Sequence, residues 1–136
     1  MQPVAIDTNA YSALTRADEG VVSVLRQAPE ILVCSIVLGE LLAGFAAGAG
    51  EGANRRELAA FLSSPRIRQV SCGSATADRY ALVFAALRRL RRPIPTNDMW
   101  VAASCLEHGA ALLSLDGHFS QVGGLRVGAR LEHFLP

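Results

Sequence analysis

The sequence predicts an α/β protein built on a mostly parallel sheet. Three observations carry this. Five short strand-like runs, beginning with Val4-Ala5-Ile6, alternate with longer segments of helical periodicity. One run, Ile31-Leu32-Val33-Cys34, is apolar without a break, as suits a strand covered on both faces. The apolar fraction is 51% and the charged fraction 18% over 136 residues, enough to bury a core without staples. With no internal repeat and no linker between units, one domain over residues 1–136 is expected.

The elements follow in order. Val4–Ile6 is a buried strand, and Asp7-Thr8-Asn9 follows it at once. Asn9 to Arg16 is a short helix. Asp18 and Glu19 cap the next, Gly20 to Gln27, with acids at the positive end of its dipole, and Ala28-Pro29 stops it. Ile31–Cys34 is the second strand. Ser35 is a suitable N-cap for a helix from Ile36 to Ala47. Gly48 to Gly52 is a linker, since a phosphate-cradling glycine loop follows a strand and this one follows a helix. Asn54 opens a helix that Ser63-Ser64-Pro65 ends, and Ile67 to Val70 is the third strand. Ser74 caps a long helix to about Arg91, on which Tyr80, Val83, Phe84, Leu87 and Leu90 recur at helical spacing and read as core. Pro93-Ile94-Pro95 forces an extended link. Asn97-Asp98 opens a helix through His108, with Gly109 as its cap. Ala111 to Leu115 is the fourth strand, with Asp116 directly after it, and Leu125 to Val127 is the fifth.

Composition removes several functions. The net charge is +1, so any basic surface is local. All 13 basic residues are arginine, which excludes a P-loop lysine and Schiff-base chemistry. It also excludes the phosphatases whose nucleophilic Asp follows the first strand. These need a lysine and a second acid where Asn9 stands. Cys34, Cys72 and Cys105 show no paired spacing, which predicts reduced thiols in a cytoplasmic protein. The N-terminus has neither a basic stretch nor a long apolar run, so no signal peptide is expected. Ile31 to Gly50 is long enough to span a bilayer, but Glu40 at its centre would cost roughly 2.5 kcal/mol or more, and the stretch divides into strand and helix. No membrane span is expected. His108, His118 and His133 lack zinc-ligand spacing; His118 follows Asp116 closely enough for a supporting role near the site, but reads first as a packed or surface side chain.

Most of the twelve acids lie where acids are cheap. Asp7, Glu40, Asp98 and Asp116 do not. Singly, each has a plain explanation as an Asx turn, an N-cap or an ion-pair partner. Together they lie at strand ends and helix starts, which share one edge of a right-handed parallel sheet. Four carboxylates crowded there repel one another, and hard divalent cations, Mg²⁺ or Mn²⁺, are the usual remedy. Such a site suits phosphate chemistry. Thr8, Asn9 and Ser114 sit beside the acids and can hold them in place. Arg88, Arg89, Arg91 and Arg92 either match the helix dipole or contact phosphates.

Four blocks in order then carry a resemblance: Ile6-Asp7-Thr8-Asn9, Leu38 to Gly44 around Glu40, Pro93 to Ala103 around Asp98, and Leu113 to Phe119 around Asp116. Over nearly its whole length the chain resembles PIN-domain ribonucleases, in particular the VapC-type toxins of toxin–antitoxin pairs. The resemblance implies a three-layer α/β/α sandwich with a five-stranded parallel sheet. It implies a Mg²⁺- or Mn²⁺-dependent endoribonuclease acting on RNA, dimeric and restrained by an antitoxin protein. By motif the metal-binding acids are Asp7, Glu40, Asp98 and Asp116, with Thr8 and Asn9 supporting Asp7 and Ser114 in the place of the family's Ser/Thr. Two alternatives stand beside this: a PIN-like module that binds RNA or protein without cutting, and a metal-dependent enzyme acting on small phosphate esters.

Overall fold

The structure, a computed structural model, describes residues 1–136. Five strands, β1 (Val4–Ile6), β2 (Ile31–Cys34), β3 (Ile67–Val70), β4 (Ala111–Leu113) and β5 (Val127–Gly128), form one sheet. Their order is β3-β2-β1-β4-β5 and every neighbouring pair is parallel. Parallel neighbours need crossovers, and six helices supply them: α1 (Thr8–Thr15), α2 (Glu19–Gln27), α3 (Ser35–Ala47), α4 (Glu51–Leu62), α5 (Ser74–Leu90) and α6 (Thr96–His108).

The register assigns the faces. Ala5 pairs with Leu32 and Leu112, and this side takes Val101, Ser104 and Cys105 of α6. Val4 pairs with Ile31, and around Ile31 gather Val22 and Leu25 of α2 with Ala60 and Phe61 of α4. The sheet is therefore the middle layer of an α/β/α sandwich. The central strands are buried throughout, as the unbroken apolar run in β2 requires. Each fully buried Leu there, such as Leu112 and Leu113, contributes about 1.5–3 kcal/mol by leaving water.

The strand order places the site. From β1 the chain steps outward to β2 and β3, then returns across β1 to β4. The direction of winding reverses between β1 and β4, which opens a crevice at their carboxyl ends. Asp7 follows β1 directly and Ser114 follows β4 directly.

Several boundaries differ from those the sequence suggested. α1 starts at Thr8, because Asp7 itself is the N-cap and accepts the Ala10 N–H. α3 starts at Ser35, with Cys34 in the cap position, its Sγ 3.4 Å from the Ile36 nitrogen. The glycine linker shortens to Gly48–Gly50: α4 begins at Glu51, and Gly52 lies inside it. β4 ends at Leu113, since Asp116 starts a 3-10 turn, Gly117–Gln121, that pulls the chain out of the sheet. β5 is Val127–Gly128, so its first expected residue, Leu125, is outside it. On α5 only Val83 and Leu87 of the expected core stripe are buried, while Phe84 and Leu90 are exposed. α6 covers a narrower strip of α5 than the periodicity implied.

All three cysteines are free, with Cys34 and Cys105 buried. No helix is long and apolar enough to cross a membrane.

Candidate metal centre

Asp7 is the deepest of the four acids. Its backbone is still extended, as the end of β1 dictates, and its side chain turns back to cap α1. Oδ1 accepts the Ala10 N–H at 2.8 Å, and Oδ2 accepts the Ser114 hydroxyl. Ser114 Oγ in turn accepts the Asp116 N–H at 3.0 Å. One hydroxyl thus ties the end of β1 to the chain beyond β4. Ser114 is itself held by the sheet, since its N–H donates to the Gly128 carbonyl at 3.0 Å.

Glu40 lies in the second turn of α3 and reaches the same edge. Oε1 accepts the Thr8 hydroxyl at 2.7 Å, and Oε2 accepts the Asn97 side-chain amide at 3.3 Å. Asp98 sits in the first turn of α6, where the helix N-terminus favours an anion. Asp116 caps the 3-10 turn by accepting the His118 N–H at 2.9 Å. His118 Nδ1 then lies 3.1 Å from Asp98 Oδ2 and 3.1 Å from Asp116 Oδ1. Asp98, Asp116 and His118 offer ligand atoms within 4.8 Å of one another.

Burial pushes the Asp7 carboxyl above the ordinary aspartate range. Its bonds from Ser114 and Ala10 oppose that rise, and repulsion from Asp98 and Asp116 adds to it. Burial also raises Asp98; the His118 contact lowers it, while Asp116 and Glu40 raise it. The four carboxylates therefore feel one another. No arginine pairs with any of them, and His118 is their one basic neighbour. A group of oxygen donors this crowded, with two members driven toward protonation, fits a hard divalent cation.

Of the residues singled out in the sequence, the structure brings Asp7, Thr8, Glu40, Asp98, Ser114 and Asp116 to one edge. Thr8 holds Glu40, where the sequence suggested it would hold Asp7. Asn9 is a correction: it is exposed and bonds none of the acids, because one further step around α1 turns it to solvent. Asn97 joins the cluster unexpectedly. His118 joins it too, so its closeness to Asp116 in sequence places it at the site and not in the core or on a remote surface. Arg88, Arg89, Arg91 and Arg92 are all exposed at the end of α5. Arg88 and Arg91 line a groove with Phe84, Leu87, Pro93 and Met99, next to Asp98 in sequence.

Comparison with known proteins agrees with this fold. The family model described as PIN domain matches residues 4–125. Ribonuclease VapC4 of Mycobacterium tuberculosis is 30% identical over 95 residues, covering 70% of this chain and 73% of the relative. The structure of VapBC2 from Rickettsia felis bound to a promoter DNA fragment superposes with a TM-score of 0.82 at 22% identity, covering 92% of this chain and 96% of that one. VapC20 of M. tuberculosis, described as a sarcin–ricin-loop-cleaving toxin, superposes with a TM-score of 0.67 at 22% identity, over 88% and 95% of the two chains. At these identities the superpositions speak for the fold, while the family match and the VapC4 similarity speak for descent. The chain belongs to the PIN-domain family, in its VapC-type group.

Proposed function

We propose that this protein is a divalent-metal-dependent endoribonuclease, the toxin of a toxin–antitoxin pair, and that residues 1–136 act as one nuclease domain. The observation that carries the reading is the convergence of Asp7, Glu40, Asp98 and Asp116 on one edge with no arginine to neutralise them. Similarity to a protein named as a ribonuclease supports RNA as the substrate. Likeness to VapBC complexes supports an antitoxin as the partner.

In this reading Asp7, Asp98 and Asp116, with Glu40, hold Mg²⁺ or Mn²⁺. The bound ion would lower the pKa of water and offset charge on the phosphate. Ser114 and the Ala10 N–H fix the Asp7 carboxylate without using all its lone pairs. Thr8 anchors Glu40 through Oε1. That leaves Oε2, with only the longer Asn97 contact, to take a proton from water attacking the phosphodiester. Arg88, Arg89, Arg91 and Arg92 steer the RNA backbone toward Asp98 by fork-shaped contacts to phosphate oxygens.

The proposal includes a homodimer in the cytoplasm. Phe84 is exposed on α5 and lines an apolar groove with Leu87, Pro93 and Met99, the kind of surface that marks a protein contact, while Leu82 and Leu90 are exposed on other sides of the helix. Sedimentation at several concentrations tests it, and a monomer throughout would remove that part.

The central test uses Asp7→Asn, whose oxygen keeps the Ala10 cap while its NH2 donates to Ser114 Oγ, reversing that bond. With Mg²⁺ or Mn²⁺ present, RNA cleavage falls by more than about a thousandfold while the circular dichroism is unchanged. Wild-type cleavage by that variant would remove the chemistry from this cluster. If neither protein cuts RNA and Mn²⁺ fails to raise the melting temperature, the chain is a binding module.

A further inference from the structure

We infer that His118 enters the metal centre as a nitrogen ligand through Nδ1, beside Asp98 and Asp116, and so biases it toward Mn²⁺ over Mg²⁺. This rests on the reading above that the acids hold a divalent cation.

The distances carry the inference. His118 Nδ1 is 3.1 Å from Asp98 Oδ2 and 3.1 Å from Asp116 Oδ1. On an octahedral ion with bonds of about 2.1 Å, neighbouring ligand atoms stand about 3.0 Å apart. The nitrogen thus stands from each carboxylate oxygen as adjacent corners of such a shell do, and all three ligand atoms lie within 4.8 Å of one another.

In the metal-free protein the Nδ1 proton points to Asp98 Oδ2, while Asp116 Oδ1, equally close to that nitrogen, accepts the His118 backbone N–H. An ion among the three would take the place of the Nδ1 proton and keep both contacts.

The chain also holds the ring in place. The His118 N–H donates to Asp116 Oδ1 at 2.9 Å, so the imidazole and its neighbouring carboxylate are fixed together. Phe119, buried at 1% exposure, anchors the next position of the same turn. The His118 side chain is 50% exposed, which allows Nε2–H to stay hydrated while Nδ1 turns inward. An imidazole donor suits transition ions better than Mg²⁺, which prefers oxygen.

The experiment is Mn²⁺ titration of the full chain, read by electron spin-echo envelope modulation, with calorimetry of Mn²⁺ and Mg²⁺ alongside. The wild type shows nitrogen modulation from a directly bound imidazole. His118→Gln loses it, and its preference for Mn²⁺ over Mg²⁺ falls about tenfold. Circular dichroism checks that the variant is folded. Mn²⁺ bound without nitrogen modulation in the wild type, or an unchanged preference in the variant, overturns the inference and leaves the four-carboxylate reading standing. Failure of the wild type to bind Mn²⁺ at all overturns both.

Discussion

Thr8 donates its hydroxyl to Glu40 at 2.7 Å, joining the first residue of α1 to the second turn of α3. Glu40 therefore does not hang freely from its helix. One oxygen is committed to Thr8 and the other faces Asn97. Replacing Thr8 by Val keeps the shape and removes the donor. Metal affinity or RNA cleavage falls about 10–100-fold, the range for losing a partner that orients a ligand. The melting temperature moves little, because Thr8 is only partly buried. Full activity in Thr8→Val would mean that Glu40 needs no anchor.

The metal-free protein has a characteristic pH dependence. Asp7 and Asp98 are both raised above 3.8, first by burial and then by neighbouring carboxylates. The folded state thus holds these protons more tightly than the unfolded chain does. Their stabilising effect is complete below the unfolded value and is lost as pH rises through the folded values. In EDTA the urea midpoint declines over that window, and Asp98→Asn declines less steeply. Adding Mn²⁺ at neutral pH restores wild-type stability and does less for the variant. Parallel curves for the two proteins would contradict the crowding.

Arg91 is the left-handed cap of α5, with φ 54°, and the Arg92 N–H closes the turn on the Leu87 carbonyl at 3.0 Å. A side chain there costs roughly 1 kcal/mol that glycine avoids. Arg91→Gly is therefore expected to be more stable by up to about 1 kcal/mol, yet to bind RNA more weakly and with a shallower salt dependence. If RNA binding is unchanged, the arginines only match the helix dipole.

Tyr11 is buried, packed edge-on against Phe61 with centroids 5.4 Å apart, and its hydroxyl has no hydrogen-bond partner. An unsatisfied buried hydroxyl is costly. Tyr11→Phe keeps the ring contact and gains about 1 kcal/mol in chemical denaturation. A loss instead would reveal a partner for the phenol.

Gly128 needs its missing side chain for a different reason. A Cβ there would lie 2.2 Å from His133 Cβ, inside the turn that His133 closes by accepting the Ala129 and Arg130 N–H groups. The Gly128 carbonyl also holds Ser114. Gly128→Ala displaces the tail, destabilises the fold by about 1–3 kcal/mol and weakens metal binding through Ser114 and Asp7. Limited proteolysis near the C-terminus and Mn²⁺ calorimetry report the two effects; an unaltered Mn²⁺ affinity would uncouple the tail from the site.

The sequence by itself determined the alternation of elements and singled out the four acids. Both are written locally: the unbroken run in β2 demands cover on two faces, and carboxylates beside strand ends are costly without purpose. What it could not specify depends on which groups meet across separations of 20 to 107 residues. The Ser114 bridge to Asp7, the transfer of Thr8 to Glu40 and the inward turn of His118 all follow from the strand order. That order puts β4 beside β1, and no local preference encodes it. Equally, helical spacing marks a possible apolar stripe on α5, but only the position of α6 decides that Val83 is covered and Phe84 is not.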